Sequence, residues 1–174
     1  CGVCGGDGST CTEGSHLLIT QIVTQPDEAE SFSIYNPTGF PIDLTNYYIC
    51  DDKDYYKIQT EGDMTPSSIV SGFTARFPAN MIIVPEDTLT IVLHENYSTY
   101  YGENFVPDII MYGSEVNSML ETEQGSIGFS AGKISDASEL IILFKWDGNG
   151  DNLIADIDYF IWGAYQQGID KTGI

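Results

Sequence analysis

The chain has 174 residues, with 26 Asp or Glu against 6 Lys or Arg and a formal net charge of −20. That balance excludes a face that binds nucleic acid or an anionic membrane by charge, and it favours cationic partners, calcium among them. A hydrophobic share of 42% over the length of one domain excludes bulk disorder, an aromatic share of 12% leans toward strands, and no apolar run approaches the roughly 20 residues of a membrane span.

Residues 1–15 are rich in Gly and Cys: Cys1, Cys4 and Cys11 fall within one polar stretch that buries no core of its own. Disulfides are its expected staple, which implies an oxidising compartment, and Cys4–Cys11 is the expected local bridge, with Cys1 left for a partner upstream. The alternative is a zinc knuckle, for which only His16 stands nearby as a further ligand. The chain is expected to be a mature or excised fragment of a longer polypeptide. The cysteine segment resembles the CGVCGGDGSTC-type stretches of secreted multidomain proteins, a resemblance that covers residues 1–11 and implies export and a modular setting.

From residue 16 to residue 174 the pattern is that of one β domain. Apolar residues alternate with polar ones, as half-buried strands require. In 17–23, Leu17, Ile19 and Val23 share a face; in 30–35, Phe32 and Ile34 point one way and two serines the other. Asn36-Pro37 ends that strand, because proline has no N–H for a ladder and Asn36 closes an Asx turn with its own side chain. Ile42 and Leu44 alternate with Asp43 in the next strand, and Cys50, at the end of an apolar run, is expected to be a buried free thiol. Leu89, Ile91 and Leu93 share a face of a later strand, and Leu140, Ile142, Phe144 and Trp146 share one of another. Stretches 59–72 and 95–104 are expected to be long loops, and 114–121 a short helix with Val116, Met119 and Leu120 inward. Many short strands separated by turn signals predict an all-β fold, an antiparallel sandwich or barrel.

Several of these runs, taken in order, resemble a lamin-tail domain. The opening, residues 16–23, precedes Glu30-Ser31-Phe32-Ser33-Ile34-Tyr35-Asn36-Pro37, similar to the family's "E-x-x-E-I-Y-N-P"; Ile42-Asp43-Leu44 through Ile49 is similar to its "V-D-L-x-x-W-x-L". Phe77-Pro78 through Pro85 resembles its "F-P-x-x-x-x-I-x-P-G" strand pair, and residues 144–163 resemble the closing hairpin of bacterial members. Ser33 stands where the family often has Glu, Tyr48 near its usual Trp, and Glu86 where it has Gly after the proline. The resemblance implies an immunoglobulin-like antiparallel β-sandwich, and a non-catalytic interaction or scaffold module attached to secreted or surface proteins.

Three groups carry candidate chemistry. Asp147, Asn149 and Asp151 have the D-x-N-x-D spacing of a calcium loop, with alternate oxygen side chains available to one ion. Asp158 falls at the twelfth position, but a strand rising about 3.3 Å per residue carries it out of reach of that ion. An ordinary hairpin turn explains the same residues, which are common turn formers. Asp156 and Asp158, two apart, are expected on one face of a strand, where paired carboxylates serve acid–base chemistry or stand as a solvated face. Asp51, Asp52 and Asp54, flanked by Tyr47, Tyr48, Tyr55 and Tyr56, suggest a carbohydrate or cationic-peptide surface, or else a turn between aromatic strands. Asn96-Tyr97-Ser98 fits an N-glycosylation acceptor. The only histidines, His16 and His94, complete no metal or hydrolase motif.

The expected function is a non-catalytic, extracellular or cell-surface interaction module acting in adhesion, display or assembly through protein contact or self-association. No nucleic-acid binding or membrane insertion is expected. The alternatives are a calcium-dependent carbohydrate- or protein-binding module using residues 147–151, and a secreted hydrolase domain using Asp156 and Asp158.

Overall fold

The computed structural model describes residues 16–61, 72–112, 117–127 and 134–164. Cys1, Cys4 and Cys11, with the bridge expected between Cys4 and Cys11, lie outside the described residues, as does most of the 59–72 stretch. Chain order gives β1 (Leu18–Val23), β2 (Ser31–Tyr35), β3 (Ile42–Asp43), β4 (Tyr47–Cys50), β5 (Thr74–Arg76), β6 (Ile82–Ile83), β7 (Thr88–His94), β8 (Ile109–Tyr112), β9 (Leu120–Glu121), β10 (Ser138–Lys145) and β11 (Ala155–Gly163). Single helical turns, α1 (Ile58–Glu61) and α2 (Ser98–Tyr101), sit in the connections.

One sheet has the order β1-β2-β7-β8 and the other β11-β10-β4-β5-β9; β3 and β6 form a separate two-stranded ribbon. Among the described residues, all pairs of these strands are antiparallel except β7–β8. The protein is therefore all-β, an immunoglobulin-like sandwich with one parallel pair. The expected inward rows build its centre. Phe32 and Ile34 from β2, with Leu89, Ile91 and Leu93 from β7, meet Ile49, Ile141 and Leu143 of the facing sheet, all within one buried cluster. Phe32 stacks on Phe73 at 6.4 Å between ring centres.

The remaining predicted row, Leu140, Ile142 and Phe144, does not face that centre. It covers the outer side of β10 in a second buried cluster with Tyr48, Cys50 and Tyr55, against which Trp146 packs. The 51–61 connection contributes Tyr55 to this layer, so β4 and most of β10 are buried on both faces. Cys50 is fully buried with a free thiol, as its position predicts. Burial pushes its thiol pKa well above the ordinary range, which disfavours the thiolate.

Two β-bulges change which residues share a face, because one extra residue reverses the alternation beyond it. The first lies between Ile19 and Gln21. It brings Ile22, rather than the expected Val23, into the centre with Leu17 and Ile19. The second skips Ile157 opposite Leu143 and Phe144. The helix expected over 114–121 is also replaced in its described part. Ser118 bridges Ile110, β9 follows, and Met119 is buried while Leu120 is exposed. Val116 lies outside the described residues.

Asn36 closes its Asx turn as expected: its Oδ1 accepts from Thr38 N at 3.0 Å. Glu86 has φ +60°, a left-handed conformation that glycine adopts freely and a side chain resists. Glu86→Gly is expected to stabilise the fold by about 0.5–1 kcal/mol, the relief of strain exceeding the added freedom of the unfolded chain, as read by urea denaturation. Gly163 ends β11 at φ +70°, where an added Cβ would sit 1.9 Å from the Ala137 carbonyl oxygen.

Candidate functional site

The 146–154 connection of β10 to β11 holds the proposed calcium ligands. Asp147 Oδ1 accepts from Asn149 N at 2.9 Å and its Oδ2 from Asn152 Nδ2 at 2.6 Å, while Asn149 Oδ1 accepts from Asp151 N at 3.0 Å. The Asn149 carbonyl accepts from the Trp146 indole at 3.0 Å. The Asn149 amide, donating to the carboxylate, holds the Asp147 pKa below its usual range. As folded, these oxygens serve the turn's own donors, and a cation would have to take them from those donors. Among the described residues, no group of three or more His, Cys, Asp and Glu side chains is placed to hold a metal. Asp158 stands elsewhere in the fold.

Asp156 and Asp158 do not form a pair. With Ile157 left unpaired in the ladder and packed against the central core, Asp156 keeps the outer side and accepts from the Tyr55 hydroxyl of the outer aromatic layer. Burial, and next the bond to Asp156, push the Tyr55 pKa above its ordinary value. Asp158 turns to the end strand of the other sheet: Oδ2 accepts from Ile19 N at 2.7 Å, and Oδ1 from Tyr159 N at 2.8 Å. A carboxylate receiving two backbone N–H groups is a strong staple, here joining the edges of the two sheets. The expectation that the two acids share a face fails because a period of two holds only in an unbroken ladder.

The aromatic–acidic surface expected around residues 47–56 is also taken apart. Tyr47, Tyr48 and Tyr55 are buried. Consecutive residues of β4 point to opposite faces, and both faces are covered. Asp51 accepts from Phe73 N at 2.8 Å, Asp52 from Asp54 N at 2.9 Å, and Asp54 pairs with Lys53 and Lys57. Desolvation raises the Asp51 carboxyl well above its ordinary pKa, with the Glu139 and Asp52 charges adding to it and the Phe73 amide opposing.

Two surfaces were not singled out by residue pattern. The first is β11, the end strand of its sheet, on which Tyr159 is 45% and Phe160 49% exposed, with Leu153 also exposed just before it. Phe160 lies 6.1 Å from the Trp162 ring, whose indole donates to the Ser135 carbonyl. The second is at the other lateral edge. Glu95, Tyr97, residues 106–108, Ile110 and Asn117 line a cleft of about 420 Å3, with Tyr97, Val106 and Ile110 as apolar walls and Glu95 and Asp108 as acids. Its frame is fixed by packing: Phe105 stacks on Tyr101 at 4.5 Å and meets Tyr97 edge-on at 5.9 Å, and the Tyr101 hydroxyl donates to the Ala29 carbonyl at 2.8 Å. Glu30, just before β2, is buried with its Oε2 3.3 Å from His94 Nε2. Asn96 of the glycosylation motif is exposed on the same rim. Aromatic spacing at 97, 100, 101 and 105 was the available signal for this frame.

No family model and no curated protein matches the chain. Among solved structures, a DUF4876 family protein from Bacteroides thetaiotaomicron is similar at a TM-score of 0.48 and 14% identity, over 76% of this chain and 43% of that one. The chain spans less than half the length of that protein.

Proposed function

We propose that this chain is a non-catalytic interaction module of the lamin-tail type, working outside the cell in adhesion, display or assembly. The observation that carries the reading is the second half of β11, Tyr159 to Gly163. Among the described residues it is a terminal strand with exposed aromatics, and it contains no Lys, no Pro and no charge. Proteins guard open edges with these residues, because unpaired N–H and C=O groups template the addition of another strand. Main-chain bonding along such an edge supplies affinity, and alternate side chains supply specificity. The bulge at Ile157 and the two aspartates blunt only the first half.

The structural duties of Asp156 and Asp158 support the non-catalytic reading, and the inert Cys50 thiol agrees with it. Lamin-tail kinship and an extracellular setting rest on the ordered motifs and the cysteine segment described above. The test passes proteins shed by the producing cells over the immobilised chain and over Phe160→Lys, which guards the edge with a charge. The expected result is a protein retained by the first and lost from the second, with cross-links to residues 159–163. Equal retention on both, or retention on neither, contradicts the reading.

A further inference from the structure

The cationic residues of the chain are segregated. No Lys or Arg occurs in residues 1–52 or 77–132, so the sheet β1-β2-β7-β8 is built without one. The described cations all belong to the other sheet or its connections, and each is engaged there. Lys53 and Lys57 meet Asp54, Arg76 donates to the Thr45 carbonyl, and Lys145 lies over the Tyr47 ring. Among the described residues that line it, the cleft at the β8 edge has two acids and no lysine or arginine.

We propose that this cleft receives a lysine or arginine side chain from a basic segment of a partner protein. Its volume falls within the roughly 300–1,000 Å3 of ligand sites. Its composition suits a side chain that is apolar along its stem and charged at its head. Val106, Ile110 and the Tyr97 ring flank the stem, and Glu95 and Asp108 supply the opposite charge. The acid at position 108 is held in place, since Thr90 N donates to Asp108 Oδ2 at 2.7 Å and Asp108 N donates to the Thr90 carbonyl at 3.0 Å. Such a preset wall lowers the ordering cost of binding. A bare metal ion is a poor occupant, because the apolar walls offer it no ligands. A second copy is a poor one too, since each carries a net charge of −20 and its described cations are already engaged. The cleft lies on the lateral edge opposite β11, so this inference stands apart from strand addition there.

The probe is a fluorescein-labelled octapeptide of alternating Gly and Arg, compared with its citrulline twin, titrated against the whole chain by anisotropy at moderate salt. The expected result is that the arginine peptide binds and the citrulline peptide does not. Glu95→Gln with Asp108→Asn should weaken binding about tenfold, whereas Glu86→Gln with Asp87→Asn, an equal charge change in the turn that enters β7, should weaken it less than about twofold. The Asp108→Asn change leaves a side-chain oxygen to accept from Thr90 N, so the fold is retained. Val106→Lys, at a position 82% exposed, should weaken binding without touching the core. Equal losses in the two double variants, binding of the citrulline twin, full binding by Val106→Lys, or no binding of the arginine peptide would each overturn the proposal.

Discussion

Phe144→Ala is expected to cost about 3–5 kcal/mol, the range for emptying a fully enclosed aromatic site. Phe144 is wholly buried on the outer side of β10, with its ring 5.0 Å from that of Tyr48, nearly parallel, and 5.0 Å from that of Tyr55. The loss should have a local signature. Tyr55 carries the 51–61 connection onto this layer and bonds Asp156 of β11, while Gln59 donates to the Gly150 carbonyl at 3.1 Å, linking that connection to the 146–154 turn. Without the Phe144 ring, amides of 55–59 should exchange much faster than those of β2 and β7. Urea denaturation reads the total and hydrogen exchange the distribution. A loss below about 1 kcal/mol would mean that the outer layer is not a packed core.

Asn36→Ala is expected to cost about 3–4 kcal/mol, although it removes no apolar volume. The side chain is fully buried and makes four hydrogen bonds: Nδ2 donates to the carbonyls of Phe40 at 2.9 Å and Ile83 at 3.0 Å, and Oδ1 accepts from Thr38 N and Thr38 Oγ1. Each contributes about 1 kcal/mol net, and the abandoned Ile83 carbonyl adds the cost of a buried unpaired acceptor. Asn36→Asp separates polarity from size. It keeps both acceptor bonds, loses both donors and sets a buried carboxylate against two carbonyl oxygens. Burial and those dipoles raise the folded-state pKa of the new acid above its unfolded value. The proton is then bound more tightly in the folded state, so stability is present at low pH and is lost as pH rises through the folded pKa. The Asp variant should unfold more readily in urea at pH 8 than at pH 5, whereas the Ala variant should lose the same amount at both. The duty of this asparagine is to tie β2 to the β3–β6 ribbon.

These two sites mark the boundary of what could be read from residues alone. Asn36 was legible because an Asx turn is local: the side chain bonds an amide two residues on, and the following proline stops the strand. The rows Phe32/Ile34 and Leu89/Ile91/Leu93 were legible because their strands are unbroken. Phe144 was legible as part of a row but not as to which layer it enters, since β10 is apolar on both faces and alternation has no contrast there. The two bulges were not legible, because an extra residue at Thr20 or Ile157 carries no local signature. Its consequences, Ile22 turned inward and Asp156 parted from Asp158, appear only once strands pair. The stretch around Met119 resembled a helix because one buried residue among polar ones fits either period. The β8 cleft depends on a parallel pairing and on contacts between distant segments, which no short pattern encodes.

The open half of β11 is best tested by hydrogen–deuterium exchange on the whole chain, alone and with the protein it retains. Strand addition predicts that amides of residues 159–163 slow sharply on binding while those of β2 and β7 keep their rates. Protection confined to other segments, or unchanged exchange along β11 in a saturated complex, would contradict the account.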